Sequence, residues 1–280
     1  MNSTPKMIIT GGSRGIGRGI VQAFAKAGYD VAFSYKSCEK EAQELVEFVK
    51  NVYGRECFCF QASLEEHGAV EKFINEAYEA LGGLDVYINN AGLSIVDSIF
   101  DMPDETVDLI LNLTLRSYLM GAREAGRIMV RNKTQGNIIN ISSVRGENTW
   151  PNDIVYGATK AGVNRAARAF ALNLAPYGIR VNTIAPGNTA VRTEEEWRAE
   201  GADEDYIKNW ISSGNNIPLG RRGNPNDIAE AILFLVSEKA SYITGTLLTI
   251  DGGLTIASMP EQEQKDEPGY HRWGYTPEIH

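Results

Sequence analysis

Tyr156 and Lys160, in Tyr156-Gly-Ala-Thr-Lys160, carry the clearest chemistry in this sequence. The i,i+4 spacing puts both side chains on one helix face, one turn apart. A phenol with a pKa near ~10 is a poor acid or base at neutral pH. A neighbouring ammonium favours the phenolate and is expected to pull that pKa down. A tyrosine tuned in this way can pass a proton to or from a substrate oxygen. The pair alone also fits an ordinary exposed helix, so its surroundings decide. Asn137-Ile-Ile-Asn-Ile-Ser142-Ser143 reads as a buried strand ending in two hydroxyls, with Ser143 13 residues before Tyr156. Strand ends face the crevice where open α/β sheets bind ligands. A hydroxyl there can hydrogen-bond the oxygen whose proton Tyr156 moves.

A second constellation is Thr10-Gly11-Gly12-Ser13-Arg14-Gly15-Ile16-Gly17, between a short apolar run and a helical stretch. Glycines allow a tight turn and a close approach of ligand to backbone. The helix that starts there aims free N–H groups and its positive end at an anion, and a pyrophosphate fits. The spacing is Gly-x-x-x-Gly-x-Gly rather than Gly-x-Gly-x-x-Gly. The next strand should end near the ribose, where an NAD site usually has an acid. Here Ser34-Tyr35-Lys36-Ser37 has none before Glu39. Arg14 and Lys36 can both meet a 2′-phosphate, so NADP is favoured over NAD.

These residues must be positioned by alternating strands and helices. Apolar runs at Met7–Thr10, Val31–Tyr35, Cys57–Phe60, Asp85–Ile88, Asn137–Ile141, Arg180–Ile184 and Thr246–Ile250 read as about seven strands. Helical patterns lie between them: Gly15–Gly28, Glu39–Tyr53, Val70–Leu81, Asp104–Arg131, Ile154–Ala175 and Pro225–Leu235. In Glu39–Tyr53 the inward residues are expected to be Leu45, Phe48, Val49 and Val52. The alternation implies right-handed βαβ units, hence a single-domain, doubly wound parallel sheet of the Rossmann type with helices on both faces. We expect one dinucleotide-binding and catalytic domain over 1–256, with a polar substrate loop or lid at about 188–216. A C-terminal extension follows at 257–280, containing Tyr270, Trp273 and Tyr275.

Composition narrows the function. Lys+Arg 27 against Asp+Glu 36 gives a formal net charge of −9, which disfavours nucleic acid and anionic membranes as partners. No apolar run reaches the ~18 residues of a membrane span. Met1–Lys6 runs into a strand without a leader-like apolar region. Cys38, Cys57 and Cys59 cannot form an even disulfide framework, which points to a reduced, cytoplasmic protein. His67, His271 and His280 lack paired ligand spacing, and Cys57-x-Cys59 lacks a second half, so no metal is expected.

Taken together the motifs resemble the short-chain dehydrogenase/reductase family. The resemblance rests on Thr10-Gly-x-x-x-Gly-Ile-Gly17, Asn89-Asn90-Ala91-Gly92, Asn112, Ser143, Tyr156-x-x-x-Lys160, Pro186-Gly187 and Asp251-Gly-Gly253, in family order from about 6 to 254. It implies that Tyr156 is the general acid/base and that Lys160 lowers its pKa and holds the nicotinamide ribose. Ser143 would polarise the reacting group, and Asn112 would hold a water linking Lys160 to solvent. It further implies cofactor contacts from Gly11, Ser13, Arg14, Gly15, Ile16, Gly17, Tyr35, Lys36, Ser37, Gln61, Ala62, Asn89, Asn90, Ala91, Gly92, Pro186, Gly187 and Thr189. Ser142 would pack inward. Homotetramers or homodimers through the Asp104–Arg131 and Ile154–Ala175 helices are implied as well.

Three positions depart from the family pattern. Gln61 stands where an adenine-binding Asp is usual. Val191 stands where a nicotinamide-binding Thr is usual, with Thr189 and Thr193 beside it. The tail is longer than in compact members. Within the family, Ser143-Val-Arg-Gly-Glu-Asn-Thr-Trp150-Pro151 and Ser34-Tyr-Lys-Ser look most like glucose 1-dehydrogenase-type members, with 3-oxoacyl-carrier-protein reductases close behind. Arg145, Glu147, Asn148, Asn152 and Asp153 give the loop a polar rim that suits a polyhydroxylated small molecule. Ser94, Ile95, Val96 and Trp150 offer lining for an acyl or steroid ketone, and Trp197 and Trp210 are candidates for a lid. A non-enzymatic NADP(H) sensor is the alternative from another class. A nucleotide-sugar epimerase would need a different glycine spacing and a further C-terminal domain.

Overall fold

The computed structural model describes residues 4–95, 97–199 and 201–256, with the backbone of 270–271 and 274–275. The strands are β1 (Lys6–Ile9), β2 (Asp30–Tyr35), β3 (Cys57–Gln61), β4 (Val86–Asn89), β5 (Asn137–Ile141), β6 (Arg180–Pro186) and β7 (Leu247–Ile250). They form one parallel sheet in the order β3-β2-β1-β4-β5-β6-β7. The order reverses between β1 and β4, so a crevice opens beyond their C-terminal ends. A separate two-stranded antiparallel pair joins Tyr270–His271 to Gly274–Tyr275.

Successive residues of a strand point to opposite faces, and β1 shows the result. Met7 and Ile9 enter a core with Ile20, Phe24, Ile228 and Ile232. Ile8 enters the other core with Phe73, Ile74, Ile128 and Ile138. The first core lies under α1 (Gly15–Lys26), α2 (Glu39–Phe48) and α9 (Pro225–Val236), the second under α3 (Ala69–Leu81), α5 (Ser117–Asn132) and α6 (Ile154–Leu174). Among the described residues no helix is long and apolar enough to cross a membrane.

Two helical stretches depart from a uniform 3.6-residue period. The Glu39–Tyr53 stretch is α2 followed by one π-helical turn, Val49–Tyr53. Leu45 and Val49 are fully buried, but Phe48 and Val52 are 37% and 58% exposed, contrary to the inward placement expected for both. The wider turn rotates the face, and Phe48 packs edge-on against Tyr53 instead. The Asp104–Arg131 stretch is α4 (Asp104–Ile110), a π-helical turn at Leu111–Arg116, and then α5. The polar loop holds two short helices, α7 (Glu194–Ala199) and α8 (Glu204–Ser212). Thr193 and Glu196 cap the first reciprocally, N–H to side chain in each direction.

Where α5 crosses β4 the fit is close. A Cβ on Gly121 would sit 2.2 Å from the Tyr87 hydroxyl and 2.8 Å from Asn89 Oδ1. Gly121→Ala therefore has to push α5 off the sheet. We expect it to cost about 1–3 kcal/mol of stability and to lower Tm by several degrees in thermal unfolding; a Tm within a degree of wild type would contradict this packing.

Candidate active site

The cradle between β1 and α1 is built for close approach. Gly11 and Gly15 have φ of 68° and 55°, in the left-handed region. A Cβ on Gly17 would lie 2.0 Å from the Gly11 carbonyl oxygen. Asn90 Nδ2 donates to the carbonyls of Thr10 (2.9 Å) and Gly11 (2.8 Å), and Thr10 Oγ1 accepts from the N–H groups of Asn90 and Ala91. Ser34 Oγ accepts from Gly11 N–H. Helix α1 has no acidic residue in its first turn and no side-chain cap from the exposed, extended Arg14. Its leading N–H groups are thus directed at a space suited to an anion, and the turn fits a pyrophosphate. Ser13 is buried, and Ile16 packs on the first core.

At the end of β2, Tyr35 turns into the first core, where burial, then Glu39 and Cys59, hold its phenol above the usual range. Lys36 and Ser37 point outward, and Lys36 forms an ion pair with Glu65. Gln61 is exposed at the end of β3 and donates Nε2–H to the Lys36 carbonyl at 3.0 Å. Ala62 N–H donates to the Tyr35 carbonyl. Asn89, in contrast, is 1% exposed with every polar side-chain atom occupied. It donates to Asn140 Oδ1 and the Tyr118 carbonyl and accepts from the Tyr87 hydroxyl. Its side chain belongs to the frame of the sheet.

The structure brings Ser143, Tyr156, Lys160 and Gly92 together beyond the ends of β4 and β5. Ser143 Oγ accepts from Arg145 N–H at 3.2 Å, and the Ser143 hydroxyl lies near enough to the Tyr156 phenol to lower its pKa. Ser142 is buried, and its hydroxyl donates to the Lys160 carbonyl. Lys160 is 3% exposed. Its ammonium donates to the Ile141 carbonyl at 2.8 Å and to the Tyr118 hydroxyl at 3.4 Å. It lies 4.8 Å from the Tyr118 ring centroid and 5.5 Å from that of Tyr156.

Burial reverses the expected direction of tuning. The Tyr156 phenol is pushed up to about 12 by desolvation, against the lowering effects of the Ser143 hydrogen bond and Arg145. Lys160 is pushed down to about 7 by desolvation. In this protein alone the pair therefore favours a neutral phenol beside a lysine about half protonated at neutral pH, and the ammonium is not what sets the tyrosine.

Asn112 sits half-buried in the π-helical turn, where its carbonyl accepts from Ser117 N–H. Tyr118 meets Lys160 directly, and Thr114 lies one turn before it; both are buried. A Cβ on Gly92 would lie 3.7 Å from Lys160 Nζ and 4.0 Å from Thr114 Oγ1. Nothing in the spacing distinguished these two from core residues of an apolar helix. The i,i+4 interval between them, shared with Tyr156 and Lys160, is the one signal available.

Gly187 follows β6 and donates to the Ile250 carbonyl. Thr189 is buried, with its hydroxyl directed at the Gly187 carbonyl, whereas Thr193 is exposed and occupied in capping. Val191 lies against Gly15 at the cradle. On the substrate side, Arg145 reaches Asp153 at 3.5 Å and Ser94 Oγ at 3.4 Å and stacks over Trp150. Asp153 is buried, and burial raises its carboxyl more than Arg145 lowers it. Trp197 and Trp210 pack together, each under an arginine, Arg192 and Arg222 respectively. Among the described residues no group of three or more His, Cys, Asp or Glu could hold a metal. Val96, His280 and the side chains of Tyr270, His271, Trp273 and Tyr275 lie outside the described residues.

The family model described as enoyl-(acyl carrier protein) reductase matches residues 11–255. Glucose 1-dehydrogenase 2 of Bacillus subtilis (strain 168) is 33% identical over 250 residues, covering 89% of this chain and 94% of that protein. The 3-oxoacyl-[acyl-carrier-protein] reductase FabG of Staphylococcus aureus (strain Mu50) is 35% identical over 254 residues, covering 91% and 99%. The crystal structure of acetoin dehydrogenase YohF from Salmonella typhimurium aligns with a TM-score of 0.81 at 29% identity, covering 91% of this chain and 99% of that one. The matched span runs from the glycine turn through the last strand of the sheet, and the chain belongs to the short-chain dehydrogenase/reductase family of oxidoreductases.

Proposed function

We propose that the protein interconverts a secondary alcohol, that of a sugar or polyol, and a carbonyl, with NADP preferred. The observation that carries this reading is the convergence of Ser143, Tyr156 and Lys160 at the ends of β4 and β5. A bound nicotinamide cofactor supplies hydride transfer. Gly11 to Gly17 and the start of α1 would hold its pyrophosphate, and Arg14 and Lys36 its 2′-phosphate. Ser143 orients the substrate oxygen, and Tyr156 exchanges the proton with it. A phenol held protonated at neutral pH is ready to act as the acid in carbonyl reduction. Lys160 holds the ribose side and, poised near neutrality, can accept or return a proton.

The sugar reading rests on exposed polar groups at the rim, Glu147, Asn148 and half-buried Arg145 among them, and on the glucose 1-dehydrogenase relative. A second reading, reduction of a 3-oxoacyl thioester or another ketone, is favoured by exposed Leu93 and Trp150 on the loops after β4 and β5 and exposed Ile154 at the start of α6. Assembly as a homodimer or homotetramer through α5 and α6 accords with Leu172, 78% exposed on α6.

With NADP⁺ and a panel of sugars and polyols, purified protein should generate NADPH absorbance. Tyr156→Phe should lower kcat by about 10²–10⁴ while cofactor affinity stays within a few-fold. Turnover of ketones or a 3-oxoacyl thioester alone would transfer the assignment to the second reading. Tight NADPH binding without turnover of any substrate would favour a sensor.

Burial of Lys160 also has a signature in stability. Its pKa falls from the ordinary 10.5 to about 7 on folding. Between those values the unfolded chain holds the proton and the folded chain does not. Stability therefore rises with pH across this window, by at most about 1.4 kcal/mol per pH unit. Urea unfolding of wild type and Lys160→Met at pH ~7 and ~9 should show the difference moving in favour of wild type at the higher pH. A pH-independent difference would mean that Lys160 stays charged in the fold.

A further inference from the structure

The end of β2 lacks the acid that usually receives a ribose 2′-hydroxyl, and Lys36 stands there instead. The Lys36 ammonium is not isolated. It is paired with the carboxylate of Glu65, from the turn after β3. The side chains are 58% and 19% exposed, so the lysine faces outward and the acid lies beneath it. The second Glu65 oxygen, Oε2, is buried and has no hydrogen-bond partner among the described residues. The base of the pair is held too, because Gln61 bonds the Lys36 carbonyl across the β2–β3 edge.

This arrangement treats two ribose substituents differently. A 2′-phosphate reaching Lys36 meets a cation already compensated and a carboxylate a few ångströms further on, which repels it. A 2′-hydroxyl carries no charge and is not repelled by the carboxylate. Other charged groups near this corner are Arg14, exposed on the glycine turn, Glu39, Lys40 and Glu41 in the first turn of α2, and Arg18, which donates to the Glu41 carbonyl.

We infer that Glu65 is a cofactor-selecting residue: by pairing with Lys36 it restrains the preference for a 2′-phosphate and keeps a 2′-hydroxyl cofactor usable at the same site. The inference rests on the reading of Lys36 as the 2′-phosphate contact, so the two are tested together.

Dissociation constants for NADPH and NADH are measured by fluorescence titration on wild type, Glu65→Gln, Glu65→Asp and Lys36→Met. Glu65→Gln should raise the NADPH-over-NADH affinity ratio by about tenfold, mainly through tighter NADPH. Glu65→Asp, which keeps the charge, should stay near the wild-type ratio. Lys36→Met should weaken NADPH several-fold and leave NADH nearly unchanged. If Lys36→Met lowers NADPH affinity but Glu65→Gln leaves the ratio unaltered, the role of Glu65 is overturned and the Lys36 contact stands. If Lys36→Met leaves NADPH affinity unaltered, both fall. Unfolding midpoints equal to wild type separate these effects from loss of fold; the Gln variant keeps the length and the Asp variant keeps the charge, so a ratio changed equally in both would also overturn the charge argument.

Discussion

A lysine buried to 3% exposure has to find acceptors or give up its proton, and the site is organised around that demand. Strand β5 meets it by outrunning its neighbour. The rungs between β4 and β5 end at Asn89 and Asn140, so the carbonyl of Ile141, one residue further, has no β4 partner. It accepts instead from Lys160 and from the Tyr118 hydroxyl. Tyr118 is delivered to that point by α5, which starts just after the π-helical turn. Helix α6 brings Lys160 and, one turn earlier, Tyr156. Sheet register, helix irregularity and proton chemistry thus meet at one carbonyl.

Much of the fold was readable because period and punctuation agree with packing. The seven strands are short apolar runs between helical patterns, and their cores fall on alternate faces of β1 as a parallel sheet requires. Reading failed where the helix itself changes period. Phe48 and Val52 sit on the apolar stripe of an ideal helix, yet a single wide turn carries them outward. Val49, which opens that turn, is fully buried, and the change of period has no mark in the local spacing. Helices α7 and α8 were equally hard to see. Glu194–Ala199 has no buried residue to mark a face, and only the Thr193–Glu196 capping pattern announces it.

For the site, Ser143, Tyr156 and Lys160 were legible because their roles impose spacing within one chain segment. The direction of the pKa shift was not. Counting neighbours gives the ammonium credit for lowering the phenol, whereas desolvation of both groups acts the other way and is larger. Tyr118 and Thr114 escaped notice because a buried aromatic or a buried hydroxyl in an apolar helix looks like core. Glu65 escaped for a topological reason. The acid was sought at the end of β2, but β3 lies beside β2 throughout, Tyr35 against Gln61, so the turn after β3 reaches the same corner.

The Asn90 amide bridges the carbonyls of Thr10 and Gly11, and Thr10 Oγ1 receives two backbone N–H groups from the same distant segment. Sequence separations of 79–81 residues lie behind those bonds. The glycine turn is therefore not finished when its own residues have been synthesised. During translation, β1 and α1 can emerge and fold locally, but their ligand loop stays unlatched until β4 leaves the ribosome and docks beside β1. Closure of the glycine turn is in this way tied to completion of the first half of the sheet.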